Sequence, residues 1–409
     1  MKNAFFSEKM KKNILKTGLL LGLVLVMLLG ACPNNGDKDF DLGGSNEEES
    51  GSVRQVSARD LTTIAIKKDG TLWAWGRNQY GQLGDGTSGE ENYKTTPTKI
   101  GSEINWASVS RGVNHTVALK TDGTLWALGS NDEGQLGDGT SGFENSKSTP
   151  TKIGSEINWA SVSAGNYHTV AVKTDGTLWA WGWNDEGQLG DGTSGEENYK
   201  TTPTKIGSET NWASVSAGGA YTVAIKTDGT LWAWGYNYNG NLGDGTTTYR
   251  YTPTKIGNET NWASVSARVG TTLAIKTDGT LWAWGSNWDG QFGDGTKTDR
   301  TTPTKIGNET NWASVSVGTR HTVAIKTDGT LWAWGFNWDR QLGDDTLQPS
   351  YTPKKIGNET NWASVSAGMH HTVALKTGGT LWAWGSNYYG QLGDGTTTDR
   401  TPIQIILPE

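Results

Sequence analysis

The sequence is poor in the residues and motifs that catalysis and metal binding usually need. It has a single cysteine, Cys32, which cannot form a disulfide within the chain. It has no phosphate-binding glycine loop before a helix and no serine or cysteine nucleophile motif. After residue 32 no stretch has the apolar spacing of an amphipathic helix. We therefore expect neither an enzyme nor a helical fold, and no cofactor.

The sequence has only five histidines, and their positions favour a structural role. Four of them occupy one position of an internal repeat, where threonine or tyrosine stands in the other copies. The residues at this position are Thr62, His115, His168, Tyr221, Thr271, His321 and His371. A structural hydrogen bond explains this interchange better than metal binding or acid-base chemistry. The recurring Gly-Asp-Gly-Thr segments, such as the one at Asp85, offer one carboxylate each and predict turns instead of calcium sites.

One long apolar run is present, from Gly18 to Leu29, and five lysines precede it. This pattern predicts an export signal over residues 1–31. Gly30 and Ala31 before Cys32 resemble the lipobox of bacterial lipoproteins, in which the cysteine is acylated. An ordinary secretory signal, or a membrane anchor, followed by an incidental thiol is the alternative. No twin arginine precedes the run, which favours the general export route.

The next segment, residues 32–52, is rich in Asn, Gly, Asp, Ser and Glu, and predicts a flexible acidic tether. Without residues 1–31 the chain has 30 basic and 41 acidic residues, a net charge of −11. Such a charge disfavours nucleic acid as a partner. We expect a protein of the bacterial cell envelope that is held by its lipid anchor alone, at the periplasmic face or at the cell surface.

The remainder, residues 53–409, is repetitive. A Trp-x-Trp-Gly core, with Leu for the second tryptophan in one copy, recurs seven times at spacings of 53, 53, 53, 50, 50 and 50 residues. The cores begin at Trp73, Trp126, Trp179, Trp232, Trp282, Trp332 and Trp382. The three-residue difference falls in one segment, 84–97 against 243–253, which indicates a surface loop. Such a period is typical of a propeller blade or a solenoid unit.

Each copy contains four strand signals, here called A to D, so we predict an all-β fold. In the third copy they are 159–163, 168–173, 178–181 and 203–206, with an Asp-Gly hairpin between B and C. Trp179 and Trp181 face one side of strand C, and Leu178 and Ala180 face the other. A sheet that is apolar on both faces must be covered on both, which a ring of blades achieves. An open solenoid is the alternative.

The connections between strands predict how the ring closes. The D to A joint is short, whereas the C to D loop has about twenty residues. Because tight joints usually link neighbouring strands, we assign each D to the A, B and C that follow it. The last strand, Pro402 to Ile405, would then pair with the N-terminal strands that start near Val53 and close the ring.

One family shares these repeat features. The run 162–171, followed by Asp175-Gly176, Trp181-Gly182, Gly187-Gln188-Leu189-Gly190 and Pro203, resembles the repeat of the regulator of chromosome condensation family. The resemblance implies a seven-bladed β-propeller of four-stranded antiparallel blades. Members include an exchange factor for the Ran GTPase, a plant ultraviolet photoreceptor and the bacterial β-lactamase inhibitor protein II. The fold alone does not choose among such functions.

Differences between the copies predict where a partner binds. They concentrate in the A to B turn and in the loop that follows strand C, and strand direction places both at one rim. Of 22 tryptophans, 19 belong to the repeat framework and the other three lie in this rim. The candidate binding residues are Arg77, Tyr80, Trp183, Tyr221, Tyr236, Tyr238, Trp288, Arg320, Phe336, Trp338, His370, Tyr388 and Tyr389. Packing between blades is the alternative role for each aromatic residue.

Aromatic side chains dominate binding hot spots, so the leading hypothesis is a monomeric module that binds a protein through this rim. Exposed tryptophan and tyrosine also stack on sugars, which makes glycan binding the second hypothesis. Guanine nucleotide exchange is the third, by family analogy alone.

Overall fold

The computed structural model describes residues 51–408, and they form seven four-stranded antiparallel sheets in a ring. The predicted all-β, seven-bladed propeller is therefore confirmed. The predicted export signal, Cys32 and nearly all of the predicted tether lie outside the described residues. Within residues 51–408 no helix is long and apolar enough to cross a membrane.

The first three blades have longer C to D loops. Blade 1 contains β1 (Val53–Arg59), β2 (Thr62–Lys67), β3 (Leu72–Gly76) and β4 (Lys94–Ile100). Blade 2 contains β5 (Trp106–Arg111), β6 (His115–Lys120), β7 (Leu125–Gly129) and β8 (Lys147–Ile153). Blade 3 contains β9 (Trp159–Ala164), β10 (His168–Lys173), β11 (Leu178–Gly182) and β12 (Lys200–Ile206). Their C to D loops each include a single 3-10 turn, at Glu90–Asn92, Phe143–Asn145 and Glu196–Asn198.

The other four blades have the shorter loop. Blade 4 contains β13 (Trp212–Ala217), β14 (Tyr221–Lys226), β15 (Leu231–Gly235) and β16 (Arg250–Ile256). Blade 5 contains β17 (Trp262–Ala267), β18 (Thr271–Lys276), β19 (Leu281–Gly285) and β20 (Arg300–Ile306). Blade 6 contains β21 (Trp312–Val317), β22 (His321–Lys326), β23 (Leu331–Gly335) and β24 (Ser350–Ile356). Blade 7 contains β25 (Trp362–Ala367), β26 (His371–Lys376), β27 (Leu381–Gly385) and β28 (Arg400–Ile405).

The predicted pairing of the C-terminal strand with the N-terminal strands is wrong. Strand D of each blade pairs with strand C, the strand just before it in the chain. In blade 7, β28 therefore pairs with β27. The short joint after β4 crosses its own blade instead of turning back. Five residues can span at most about 17 Å, and three strand spacings amount to about 14 Å, so the joint is long enough to cross the blade. The joint passes over the B to C hairpin at Gly70, where a Cβ would lie 1.9 Å from the Ile104 carbonyl oxygen.

The ring closes by packing instead of strand exchange. Blade 7 buries Val373, Leu375, Leu381 and Leu407 against Trp73 and Trp75 of blade 1. The backbone N–H of Val53 also donates to the Gly379 carbonyl oxygen at 2.8 Å. This interface resembles the other six, so blades 7 and 1 are joined by the same kind of side-chain contacts as every other neighbouring pair of blades.

The repeated tryptophans form the interfaces between blades, as predicted. The Leu178 and Ala180 face of blade 3 packs against Trp212 and Trp234 of blade 4. The second tryptophan of the core also donates a hydrogen bond to the preceding blade, as Trp181 Nε1 does to the Gln135 carbonyl oxygen at 3.0 Å. Burial of these large side chains is the main apolar contribution to stability in such a ring.

The strand registers place the two variable loops at one rim, as predicted. In blade 1, Arg59 pairs with Thr62, Thr62 with Gly76, and Gly76 with Lys94, all at the same end of the sheet. The opposite end carries the Asp-Gly hairpin and the short D to A joint. We call the first end the variable rim.

Candidate functional site

The repeat position shared by histidine and tyrosine is structural. His168 Nε2 lies 3.2 Å from Thr222 Oγ1 of the next blade, and the Tyr221 hydroxyl lies 2.9 Å from Thr272 Oγ1. His115, His321 and His371 make the equivalent contact. Burial, together with nearby positive charge, lowers the pKa of His168 to about 3, so this ring is neutral near pH 7. The expected hydrogen-bonding role is confirmed.

The variable rim exposes large aromatic side chains on four neighbouring blades. Tyr238, Trp288, Trp338 and Tyr388 are 68%, 69%, 68% and 71% exposed, respectively. They occupy the same place after strand C in blades 4, 5, 6 and 7. Burial of a tryptophan or tyrosine is worth several kcal/mol only when water leaves both faces. These four side chains therefore present a large exposed aromatic surface that a partner could bury.

A cavity of about 470 Å³ opens on this rim across blades 3 to 6. Its aromatic walls are Tyr167, Trp183, Tyr236 and Trp288. Tyr167 and Trp183 pack edge to face at 6.0 Å, which fixes one wall. Of the sequence-predicted candidates, the cavity brings together Trp183, Tyr221, Tyr236 and Trp288.

Carboxylates surround one side of the cavity. Glu186 lines it, and burial together with the neighbouring Asp185 raises the pKa of Glu186. Burial also raises the pKa of Glu133 on the adjacent blade, and Asp185 and Asp132 contribute. None of these four groups has a salt bridge within the described part of the chain. This side of the rim is thus electronegative and lacks an internal counterion.

A second cluster continues the rim on blades 6 and 7. The Arg320 guanidinium lies 3.7 Å above the ring of Phe336 and donates to both carboxylate oxygens of Asp289, at 2.8 and 3.0 Å. The Phe336 ring lies 5.1 Å from that of Trp338. His370 Nδ1 is 3.0 Å from Asp339 Oδ2 and its ring is 6.3 Å from Phe336. Phe336 thus contacts the Trp338 ring, most of which stays exposed.

The remaining candidates lie near the junction of blades 7, 1 and 2. Tyr388 and Tyr389 pack edge to face at 4.9 Å, and the Arg77 guanidinium lies 5.8 Å from the Tyr389 ring. Tyr80 packs on Phe143 of blade 2 at 6.1 Å. Phe143 is 65% exposed and was not among the predicted candidates. The sequence could have indicated it, because Phe143 stands at the position that Glu90 and Glu196 occupy in the equivalent loops of blades 1 and 3.

Two predicted candidates are buried. Tyr221 is fully buried with its hydroxyl bonded to Thr271 and Thr272. Phe336 is only 6% exposed beneath Arg320. Packing is the role that their contacts define, and direct contact with a partner stays a prediction for both.

Sequence reasoning missed three buried arginines at the centre of the ring, Arg59, Arg111 and Arg268, which are 5%, 2% and 5% exposed. Arg59 crosses from blade 1 and donates to the Ala164 carbonyl oxygen of blade 3 at 2.6 Å and to the Gly218 carbonyl oxygen of blade 4 at 3.0 Å. Each arginine ends or directly follows an A strand, and neighbouring A strands contact one another around the ring, so all three lie near the central channel at its variable-rim end.

A paired substitution marks two of these arginines. Five blades have glycine three residues before the shared histidine or tyrosine, and a Cβ on Gly165 would lie 2.2 Å from His168 Cε1. Arg59 and Arg268 replace that glycine only where Thr62 and Thr271 replace the ring. The sequence thus contained a signal for them, in two positions that change together.

The recurring Gly-Asp-Gly-Thr segments form turns. Asp85 Oδ1 accepts hydrogen bonds from the Thr87 backbone at 3.0 Å and hydroxyl at 2.7 Å, while Oδ2 lies 3.1 Å from Lys94 Nζ. The aspartate is thereby occupied within its own loop. Among residues 51–408 no group of three or more His, Cys, Asp or Glu side chains is placed to hold a metal ion.

The fold is a seven-bladed propeller whose copies differ mainly along one rim. The family model for the RCC1-like domain matches residues 32–319 and again 162–408. The chain belongs to the RCC1-like domain family.

Curated relatives match about half of the chain. The Arabidopsis thaliana ultraviolet-B receptor UVR8 is 32% identical over 197 residues, which are 47% of this chain and 43% of the receptor. The human probable E3 ubiquitin-protein ligase HERC6 is 34% identical over 197 residues, 47% of this chain and 19% of the ligase. The match thus covers less than half the length of either relative.

Solved structures share the fold at lower identity. Human WBSCR16 superposes with a TM-score of 0.74 at 22% identity, covering 83% of this chain and 94% of that one. Saccharomyces cerevisiae Prp20p superposes with a TM-score of 0.69 at 22% identity, covering 79% and 82%. These similarities establish the propeller and not its partner.

Proposed function

We propose that the protein is a non-catalytic binding module that captures a protein partner on its variable rim. The observation that carries the proposal is the row of exposed aromatic residues, Tyr238, Trp288, Trp338 and Tyr388, each about 70% exposed on neighbouring blades. A constant scaffold with one varied, aromatic rim is the usual construction of a recognition surface. The S. cerevisiae relative Prp20p is described as binding Gsp1p and histones, which supports a protein partner.

The residues that line the cavity indicate which kind of side chain the partner inserts. Trp183, Tyr236 and Trp288 supply aromatic faces, and Glu186 supplies a carboxylate without an internal counterion. Aromatic faces and a carboxylate attract a cationic side chain that also has an apolar stem. We therefore propose that the partner inserts a lysine or arginine here.

The N-terminal sequence supports a proposal for the location of this module. Gly30 and Ala31 before Cys32, after the apolar run, support an exported lipoprotein with Cys32 acylated and residues 32–52 as tether. We propose that it works in the bacterial cell envelope as a monomer, on the extracytoplasmic side. Metabolic labelling with an alkyne fatty acid tests this, because Cys32→Ser should abolish the label.

The binding proposal is tested by affinity capture from extracts of host or neighbouring cells, with mass spectrometry to identify the captured protein. The triple variant Trp288→Ala, Trp338→Ala and Tyr388→Ala should lose capture. The matched control is Ile104→Ala with Ile157→Ala, because both isoleucines are 66% exposed and lie on the opposite rim. Equal capture by the triple variant and the wild type would refute the site.

Two other functions have specific tests. Exposed Trp288 and Trp338 could also stack on sugar rings, so a carbohydrate array with the purified protein distinguishes a glycan from a protein ligand. Guanine nucleotide exchange rests on family analogy alone, and measurement of nucleotide release from small GTPases would test it.

A further inference from the structure

The centre of the ring has an excess of buried positive charge. Arg59, Arg111 and Arg268 are each at least 95% buried and come from blades 1, 2 and 5. Burial lowers the pKa of Arg268 to about 10 and that of Arg111 to about 9, and Arg268 and Arg111 both lower the pKa of Arg59. Three guanidinium groups, two from the adjacent blades 1 and 2 and one from blade 5 across the ring, are therefore close enough to repel one another.

One carboxylate in this region partly offsets that charge. Asp60 raises the pKa of all three arginines, and its Oδ2 atom also lies 3.5 Å from Arg77 Nη1. Four guanidinium groups thus share one carboxylate. His115 and His168 also face the arginines, but their depressed pKa values keep them neutral. A net positive charge remains at the channel mouth.

Several of the donors there have no partner. Arg111 uses Nη1 on Thr116 Oγ1 at 2.7 Å, while its buried Nη2 and Nε have no hydrogen-bond partner among the described residues. The buried Nε of Arg268 also has none, and no salt bridge within residues 51–408 involves its guanidinium. Buried donors of this kind are costly unless something satisfies them.

Two of the arginines occur together with a second change in the same blade. An arginine Cβ at the glycine position clashes with the histidine ring of the ordinary repeat, as Gly165 and His168 show. Arg59 and Arg268 occur where Thr62 and Thr271 have replaced the ring. Two blades of seven thus have the same paired replacement, which places both guanidinium groups in the channel.

We propose that Arg59, Arg111 and Arg268 form an oxyanion-binding site at the mouth of the central channel. The Nη atoms of Arg59 are already bonded to the protein, and the unpaired buried donors are the Nε atoms of all three arginines and Nη2 of Arg111. An anion with several oxygens, a phosphate or a carboxylate, suits such donors from three blades. Asn166 accepts from Arg59 Nη2 at 3.1 Å and also lines the aromatic cavity, so the oxyanion site adjoins the proposed partner surface. The anion is either a free ion or a carboxylate of the partner.

The test uses the full-length chain and three probes: inorganic phosphate, sulfate and tetraglutamate peptide. Binding is measured by calorimetry at constant ionic strength, with chloride as reference. The key variant is Arg268→Gly with Thr271→His, which restores the residue pair of Gly165 and His168 and so preserves the fold. Loss of one charge-assisted contact should weaken binding about tenfold to a hundredfold.

The outcomes separate the sources of the anion. Binding of phosphate or sulfate that weakens in the variant supports a free ion, and binding of tetraglutamate alone supports a carboxylate of the partner. Unchanged affinity in the variant, or no binding of any probe to the wild type, overturns the proposal. Because Trp288 and Trp338 are left intact, failure here is distinguishable from failure of partner capture on the rim.

Discussion

His168 Nε2 of blade 3 lies 3.2 Å from Thr222 Oγ1 of blade 4, in a fully buried interface. The contact has to be made by a neutral ring, because burial lowers the pKa of His168 to about 3. Tyr221 makes the equivalent contact to Thr272 at 2.9 Å with a group that does not titrate near neutral pH. The same contact is therefore made in one blade by histidine, which can take up a proton in acid, and in another by tyrosine, which cannot.

This difference predicts an acid-sensitive stability. The unfolded state takes up a proton at His168 below about pH 6.5, whereas the folded state stays neutral down to about pH 3. Stability is thus complete above pH 6.5 and falls as the pH drops, by about 1.4 kcal/mol per pH unit for each such histidine. In urea unfolding between pH 6 and pH 4, the free energy of unfolding of His168→Tyr should therefore fall less steeply with decreasing pH, by the slope that corresponds to one bound proton. An unchanged slope would contradict the assigned neutral ring.

The pairing of glycine with the ring predicts coupled substitutions. Gly165→Ala should destabilise the fold by about 1–3 kcal/mol, because the added methyl would lie 2.2 Å from His168 Cε1. Adding His168→Thr recreates the small residue of Thr62 and Thr271 and should recover part of that loss. A double-mutant cycle by urea unfolding measures the coupling. Strict additivity would show that the two positions are independent.

Arg59 should stabilise the ring as well as contribute charge. Its guanidinium donates to the carbonyl oxygens of Ala164, at 2.6 Å, and Gly218, at 3.0 Å, in two blades. A lysine ammonium cannot reproduce this planar fork. Arg59→Lys should cost about 1.5–3 kcal/mol, measured by thermal unfolding. The exposed substitution Lys68→Arg is the control and should leave the midpoint unchanged.

Local regularity explains which features the sequence could predict. The alternation of Leu178, Trp179, Ala180 and Trp181 determines two faces, so the packing of tryptophan between blades followed directly. The rim assignment followed from strand direction alone. Both inferences use only residues that are close together in the sequence and need no contact between distant blades.

Features that depend on distance across the molecule were not predictable in the same way. The joint after β4 is short, yet it crosses a blade because Gly70 lets the backbone at Ile104 pass. Arg59 is the last residue of strand A in blade 1, and nothing local shows that it reaches Ala164 two blades away. The burial of Tyr221 likewise depends on Thr271 and Thr272 of the next blade.

Because packing closes the ring, we can predict which of the C-terminal residues contributes to stability. Leu407 is 3% exposed in the cluster that joins blade 7 to Trp73 and Trp75 of blade 1, whereas its neighbour Ile406 is 79% exposed. Leu407→Ala should therefore cost about 2–4 kcal/mol, and Ile406→Ala should stay within about 0.5 kcal/mol of the wild type. Hydrogen exchange should show the Leu407 variant opening first at β1 and β26, on the two sides of this interface. Equal effects of the two substitutions would mean that the last residues do not hold the ring closed.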